Sequence, residues 1–262
     1  MRKRLPAFWP LPHASRMLSR MATWYTVLLY ASIAALSALP GGLVRWSADP
    51  GADRWVGWAH ALAAGGMLGA AFVLTVVPDV AAGYAAVGAA GGVAFILATH
   101  AITGLDTLDL SRPSPGDPTA AHRLVAVHAL HACTEGVAIG VAMAVDASLG
   151  VFMALAIAVH NVPEAALLSG ATRRRGAGRT RSAALAVLSN VGQPLLAVGA
   201  WILIAAAPWS LPWILGLAVG ALLTLVMTEL LPASYREAGS TSIALVASVA
   251  MGLVILFSGI LP

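Results

Sequence analysis

Charge is scarce in this chain: Asp, Glu, Lys and Arg make up 10% of its 262 residues, against about 25% in an ordinary soluble domain. That scarcity excludes a soluble globular domain, a disordered segment and a nucleic-acid-binding module. Cysteine is nearly absent, and with Cys133 alone no disulfide framework of a small secreted domain can be built. His-Glu-x-x-His and Gly-x-Ser-x-Gly are missing as well, so neither common hydrolase signature is present. What the chain has instead is apolar surface, 59% of its residues and a mean hydropathy of +0.85, which makes lipid its solvent. The net charge is only +4. Its arginines sit in short clusters between apolar runs, a mark of membrane topology.

A hydrocarbon core of roughly 30 Å needs about 20 apolar residues per helix. On that measure the chain divides into a basic N-terminal segment, 1–22, and one all-α transmembrane domain, 23–262. Its eight spans are expected at 23–44, 56–80, 82–102, 121–145, 149–170, 182–206, 211–231 and 242–260. The longest connector, 103–119, carries Asp106, Asp109, Asp117 and three prolines and reads as a solvated loop without a fold of its own.

Orientation follows from Lys and Arg counts on the two sides. One side collects Arg45, Arg54, Arg112, Arg123, Arg173, Arg174, Arg175, Arg179, Arg181 and Arg236; the other collects Arg2, Lys3, Arg4, Arg16 and Arg20. The larger group is expected in the cytoplasm, which puts both termini outside it. Translation starting at Met17 or Met21 instead of Met1 would shorten the opposing basic segment, and a start at Met21 would remove it. A cleaved signal peptide is the competing explanation, but the apolar stretch after Trp24 is long for one.

Ionisable residues inside a membrane are costly, so their positions carry information. The fourth span contains His128, His131, Cys133 and Glu135; the fifth contains His160, Asn161, Pro163 and Glu164. Both hold His-x-x-x-Glu, which puts imidazole and carboxylate on one helix face, one turn apart. These pairs bracket or adjoin the span midpoints. Two antiparallel neighbours would then bring two imidazoles and two carboxylates to one depth, a donor set suited to Zn²⁺ and, less well, to Fe²⁺ or Mn²⁺. Two ionised carboxylates also cancel the charge of a divalent ion. For either pair alone, a helix-stabilising or interhelical hydrogen bond is the plain alternative. Pro163 and the Asn190-Val191-Gly192-Gln193-Pro194 stretch add helix-disrupting residues at similar depth, as in transporter binding sites. Met67, at the middle of the second span, offers a thioether to an ion or fills space.

Together these motifs resemble the ZIP (Zrt/Irt-like) divalent metal transporters, especially their bacterial, GufA-like branch. Supporting similarity lies in Val76-Val77-Pro78-Asp79, Gln193-Pro194-Leu195 and Glu229-Leu230-Leu231-Pro232. The resemblance implies a three-plus-two-plus-three bundle of eight helices, with an inverted repeat relating the outer triplets. It also implies a metal path between the fourth and fifth spans, alternating access by sliding, a homodimer and residence in the bacterial cytoplasmic membrane. Zn²⁺, Fe²⁺, Mn²⁺ or Cd²⁺ would be cargo and not a resident cofactor. The implied ligands are His131, Glu135, His160 and Glu164, with Asn161, Gln193 and Met67 beside them and His128, Glu229 and Asp79 as relays.

Two departures bear on stoichiometry. Family members often have Asn where this chain has Ala132, and Glu where it has Gln193. Both positions belong to the second of two adjacent metal sites in the family's two-metal form, so one strong site per chain is expected. The family's His-rich cytoplasmic loop is also missing, with only His100 and His122 at the edges of the connector. An intramembrane metal-dependent hydrolase and a non-transporting metal sensor or scaffold are the alternative functions.

Overall fold

The computed structural model describes residues 22–43, 52–77, 80–103, 120–174 and 176–260. Among them, eight helices are long and apolar enough to cross a membrane: Trp24–Leu43, Arg54–Thr75, Ala82–Thr103, His122–Val145, Ala147–Arg174, Arg179–Ala206, Pro208–Arg236 and Ser240–Gly259. We refer to them as the first to eighth spans. The described residues contain no strand, so the all-α, eight-span reading holds. Asp79, most of the 103–119 connector and nearly all of the N-terminal basic segment lie outside the described residues.

The spans lie within a few residues of the hydropathy reading, except that the second ends at Thr75, short of the expected 80, and the fifth and seventh run longer. Both extensions end on arginine, Arg174 and Arg236. Cations suit a helix C-terminus, and a long side chain carries its charge to the interface. Between the fourth and fifth spans a single residue, Asp146, makes the turn. Its Oδ1 accepts the backbone N–H of Ser148 at 2.8 Å and of Leu149 at 3.2 Å, capping the fifth span.

The packing order has a two-fold regularity. The second span packs on the eighth and the seventh on the third; the first packs on the fifth and the sixth on the fourth; the second also meets the fifth, and the seventh meets the fourth. Exchanging spans one to three with six to eight, and four with five, converts each of these pairs into its counterpart. Spans one and six cross the bilayer in opposite senses, so the repeat is inverted, and the fourth and fifth spans stand between the triplets. The fourth span is mostly buried, whereas the eighth is largely exposed to the surroundings.

Small residues set these contacts. A β-carbon on Gly65 would lie 2.2 Å from the Ala247 carbonyl oxygen, and one on Gly216 would lie 2.0 Å from that of Ala85. The same close approach seats the sixth span on the fourth: β-carbons at Gly136 and Gly140 would each fall 2.3 Å from a carbonyl oxygen, of Gln193 and Ala197 respectively. Lipid tails are as apolar as leucine, so helices associate here through backbone proximity and dispersion instead of a hydrophobic drive.

Three spans are interrupted beside the buried polar residues. The first breaks at Ser37, three residues ahead of Pro40, and Ser37 Oγ lies within donating distance of Ala34 O (2.6 Å) and Ala158 O (2.8 Å). The sixth breaks at 189–191 ahead of Pro194, and the seventh widens into a π-turn at Val226–Leu230 ahead of Pro232. Proline lacks an N–H and crowds the preceding turn, so each break falls where the helical ladder cannot be completed. The fifth span, in contrast, passes through Pro163 without interruption.

The close seam between the fourth and sixth spans yields a prediction. Gly140→Leu should lower the Tm of the detergent-solubilised protein by at least ~2 °C, as overpacking of about 1–3 kcal/mol implies. Gly199→Leu, whose β-carbon would meet nothing within 4 Å, should leave Tm unchanged. Equal effects of the two substitutions would contradict the packing account.

Candidate metal centre

Glu135, His160 and Glu164 form a buried group whose ligand atoms all lie within 4.8 Å of one another. His160 Nε2 is 3.1 Å from Glu135 Oε1 and 3.6 Å from Glu164 Oε2. The fourth-span glutamate therefore meets the fifth-span motif across the helix interface, while the fifth-span His and Glu meet along one face. His128 joins from the turn before, its Nδ1 3.3 Å from Glu164 Oε1. All four side chains are buried. Glu164 Oε2 and His128 Nδ1 have no hydrogen-bond partner, and buried polar atoms are rarely left so unless an ion or water completes them. Two carboxylates facing one volume would repel unless a cation or protons stood between them.

The interrupted helices supply the walls. With the sixth span broken at 189–191, Gln193 turns inward in the first turn of the resumed helix and is fully buried. Its amide nitrogen donates to Glu135 Oε2, and its carbonyl accepts from Asn161 Nδ2 at 3.1 Å. Asn161 in turn donates to Ala34 O at 2.8 Å, a carbonyl at the end of the first helical segment before Ser37. Asn190 donates to Ala186 O at 2.8 Å and lies 3.4 Å from His128 Nε2. The second span contributes bare backbone: a β-carbon on Gly66 would lie 3.6 Å from His160 Cβ.

The other residues singled out in the sequence fall elsewhere. Met67 is buried in the main apolar cluster with Ala63, Ala64 and Ala70. His131, one turn before Glu135, stands instead with His100 of the third span and Glu229 of the seventh, again with ligand atoms within 4.8 Å. Glu229 sits within the π-turn, a widened turn that often marks functional positions. His100 was legible only as the edge of a connector. The available signal was a histidine in the last turn of an apolar span, one helical turn from where lipid gives way to loop.

Comparison with known proteins gives two relatives. One, from Arabidopsis thaliana and named as a candidate zinc transporter, is 29% identical over 229 residues, covering 86% of this chain and 36% of the relative. The other, named zinc transporter GufA, from Myxococcus xanthus, is 35% identical over 108 residues, covering 41% of this chain and 42% of the relative. The chain thus spans between a third and a half of the length of the curated relatives it matches. No family model matches the chain. The resemblance to ZIP transporters of the GufA-like branch, read from the paired motifs, is in keeping with relatives named as zinc transporters, one of them GufA.

The Gln193 geometry carries a prediction about charge. A glutamate in its place would set a third carboxylate against Glu135 Oε2, a placement that a bound cation relieves. Gln193→Glu is expected to tighten Zn²⁺ binding at least ~10-fold at mildly alkaline pH, equivalent to about 1.4 kcal/mol, by isothermal titration. Unchanged or weaker binding would remove Gln193 from the centre's electrostatics.

Proposed function

We propose that this chain carries divalent transition-metal ions, Zn²⁺ foremost, across the cytoplasmic membrane of a bacterium, with the Glu135, His160 and Glu164 group as the ion's station. The observation that carries this reading is the convergence of two carboxylates and an imidazole, all buried, from adjacent membrane spans. Fe²⁺, Mn²⁺ and Cd²⁺ are further cargoes compatible with such donors. The names of the two relatives support transport over an intramembrane hydrolase, and no enzymatic role is assigned.

In this reading the two glutamates neutralise the ion, so the loaded centre is tolerable in low dielectric. The imidazole of His160 selects a borderline metal over a hard one. Gln193, itself held by Asn161, fixes Glu135 through its amide, and both leave the centre without a third negative charge. That restraint matters, since a station must bind firmly enough to load and weakly enough to empty. His128, in contact with Glu164, relays the ion toward one mouth. Access alternates by the sliding of a transport unit, and the protein works as a homodimer with both termini outside the cytoplasm.

Flux in proteoliposomes tests the station. At equal reconstituted amounts, His160→Ala and Glu164→Ala should each abolish Zn²⁺ uptake, while His128→Ala should retain a reduced rate. Near-normal flux in Glu164→Ala would reject the assignment, and binding without flux in the wild-type protein would favour a sensor.

Orientation has its own measurement. In a Cys133→Ser background, a cysteine at the exposed Gly178, between the fifth and sixth spans, should resist an impermeant thiol reagent applied to intact cells and react after lysis. Labelling from outside would reverse the sidedness derived from the arginine count.

A further inference from the structure

We infer that the arginine-bearing end of the sixth span is a docking surface for an anionic phospholipid. Arg179 and Arg181 hold its phosphate, and an acyl chain lies along the apolar stripe that follows them. Such binding is independent of the ion held in the interior. Both arginines stand in the first turn of the helix Arg179–Leu188 and are exposed. That turn has no acidic residue, although the positive end of a helix dipole favours acids and disfavours cations. Helix stability therefore does not account for the pair. Membrane topology does not require it either, since Arg173 and Arg174 already put positive charge at the end of the preceding span.

Contacts within the chain leave most of this charge unmet. One terminal nitrogen of Arg179 donates to Leu43 O at 3.1 Å, at the end of the first span. A guanidinium carries about five N–H donors, so the greater part of the fork remains for a second acceptor. Among the residues whose side chains are described, no carboxylate is at hand. Glu135, Glu164 and Glu229 are buried in the interior, and Asp146 caps the turn at the opposite end of the bundle.

The surface leading away from the pair suits a lipid and not a soluble anion. From Arg181 the exposed positions Ala184, Leu188, Val191, Leu195 and Ile202 follow at helical spacing. Leu188 and Leu195 are 63% and 64% exposed, so in a spanning helix they meet acyl chains. At the head of that stripe, guanidinium pairs with a phosphate through two parallel N–H···O bonds, and arginines at this depth attract anionic headgroups. Phosphatidylglycerol matches both the cationic head and the apolar stripe. Phosphatidylcholine, whose choline cancels its phosphate, matches only the stripe.

Native mass spectrometry of the purified full chain in detergent, titrated with either lipid at matched acyl composition, tests the proposal. Wild type is expected to bind phosphatidylglycerol at least ~10-fold more tightly than phosphatidylcholine, as two arginines at a membrane surface imply. The double variant Arg179→Gln/Arg181→Gln should bind the two lipids alike. Arg181→Gln alone, which leaves the bond from Arg179 to Leu43 O in place, should show an intermediate preference. Arg54→Gln, at the exposed start of the second span, should keep the full preference. Inorganic phosphate, at an ionic strength matched with chloride, should displace no lipid. Equal binding of the two lipids by wild type overturns the site without recourse to any variant. So does a preference undiminished in either the single or the double variant, or one lost equally in Arg54→Gln. Displacement by inorganic phosphate would replace the lipid with a free anion and likewise overturn it.

Discussion

The carboxylate of Glu135 is the junction on which the interior depends. One of its oxygens meets His160 and the other accepts from Gln193; Gln193 holds Asn161, and Asn161 reaches the Ala34 carbonyl. That single hydrogen-bonded path ties the first, fourth, fifth and sixth spans together through polar groups that have no water to turn to. In a hydrocarbon surround each unmet polar group is costly, so removing any member leaves its neighbours exposed to that cost. The path is consequently a structural element as well as the wall of an ion site.

The interruptions in the helices serve the same economy of polar groups. A proline in a membrane helix frees a carbonyl that must be met by protein. At Ser37 the loss is met by its own hydroxyl and by Asn161 against Ala34 O. Where the sixth span breaks, the Asn190 side chain bonds back to Ala186 O and Gln193 is aimed at the centre. The seventh span accommodates Pro232 by widening one turn, which swings Glu229 inward. Local backbone compromise and site construction are thus one event at three places.

The spans were readable from hydropathy because lipid imposes a length and a composition on every crossing. The fifth-span motif was equally readable, as His160 and Glu164 do share a face and a contact. His131 shows where that logic stops. Helical spacing puts His128, His131 and Glu135 within an arc of about 60°, yet Glu135 faces the fifth and sixth spans while His131 faces the third and seventh. Periodicity names a face, but the two neighbours dividing that face are set by the packing of the whole bundle. His100 and Glu229 are separated by 129 positions, and nothing local in the sequence links them. Gln193 could be recognised as a neutral residue where an acid is common, but its donation to Glu135 required the break at 189–191 to aim it.

The glycine seams have a mechanical consequence. Where the second span meets the eighth and the third meets the seventh, Gly65, Gly88, Gly92, Gly216 and Gly220 bring backbone close to backbone, leaving little side chain at those points to compress or rearrange. Two helices joined in that way bend and tilt as one plank. A bilayer of different thickness then rotates each plank as a unit, since tilt is how a span of fixed length answers mismatch. The largely exposed eighth span, the outer member of one plank, makes lipid thickness a quantity the buried polar interior feels.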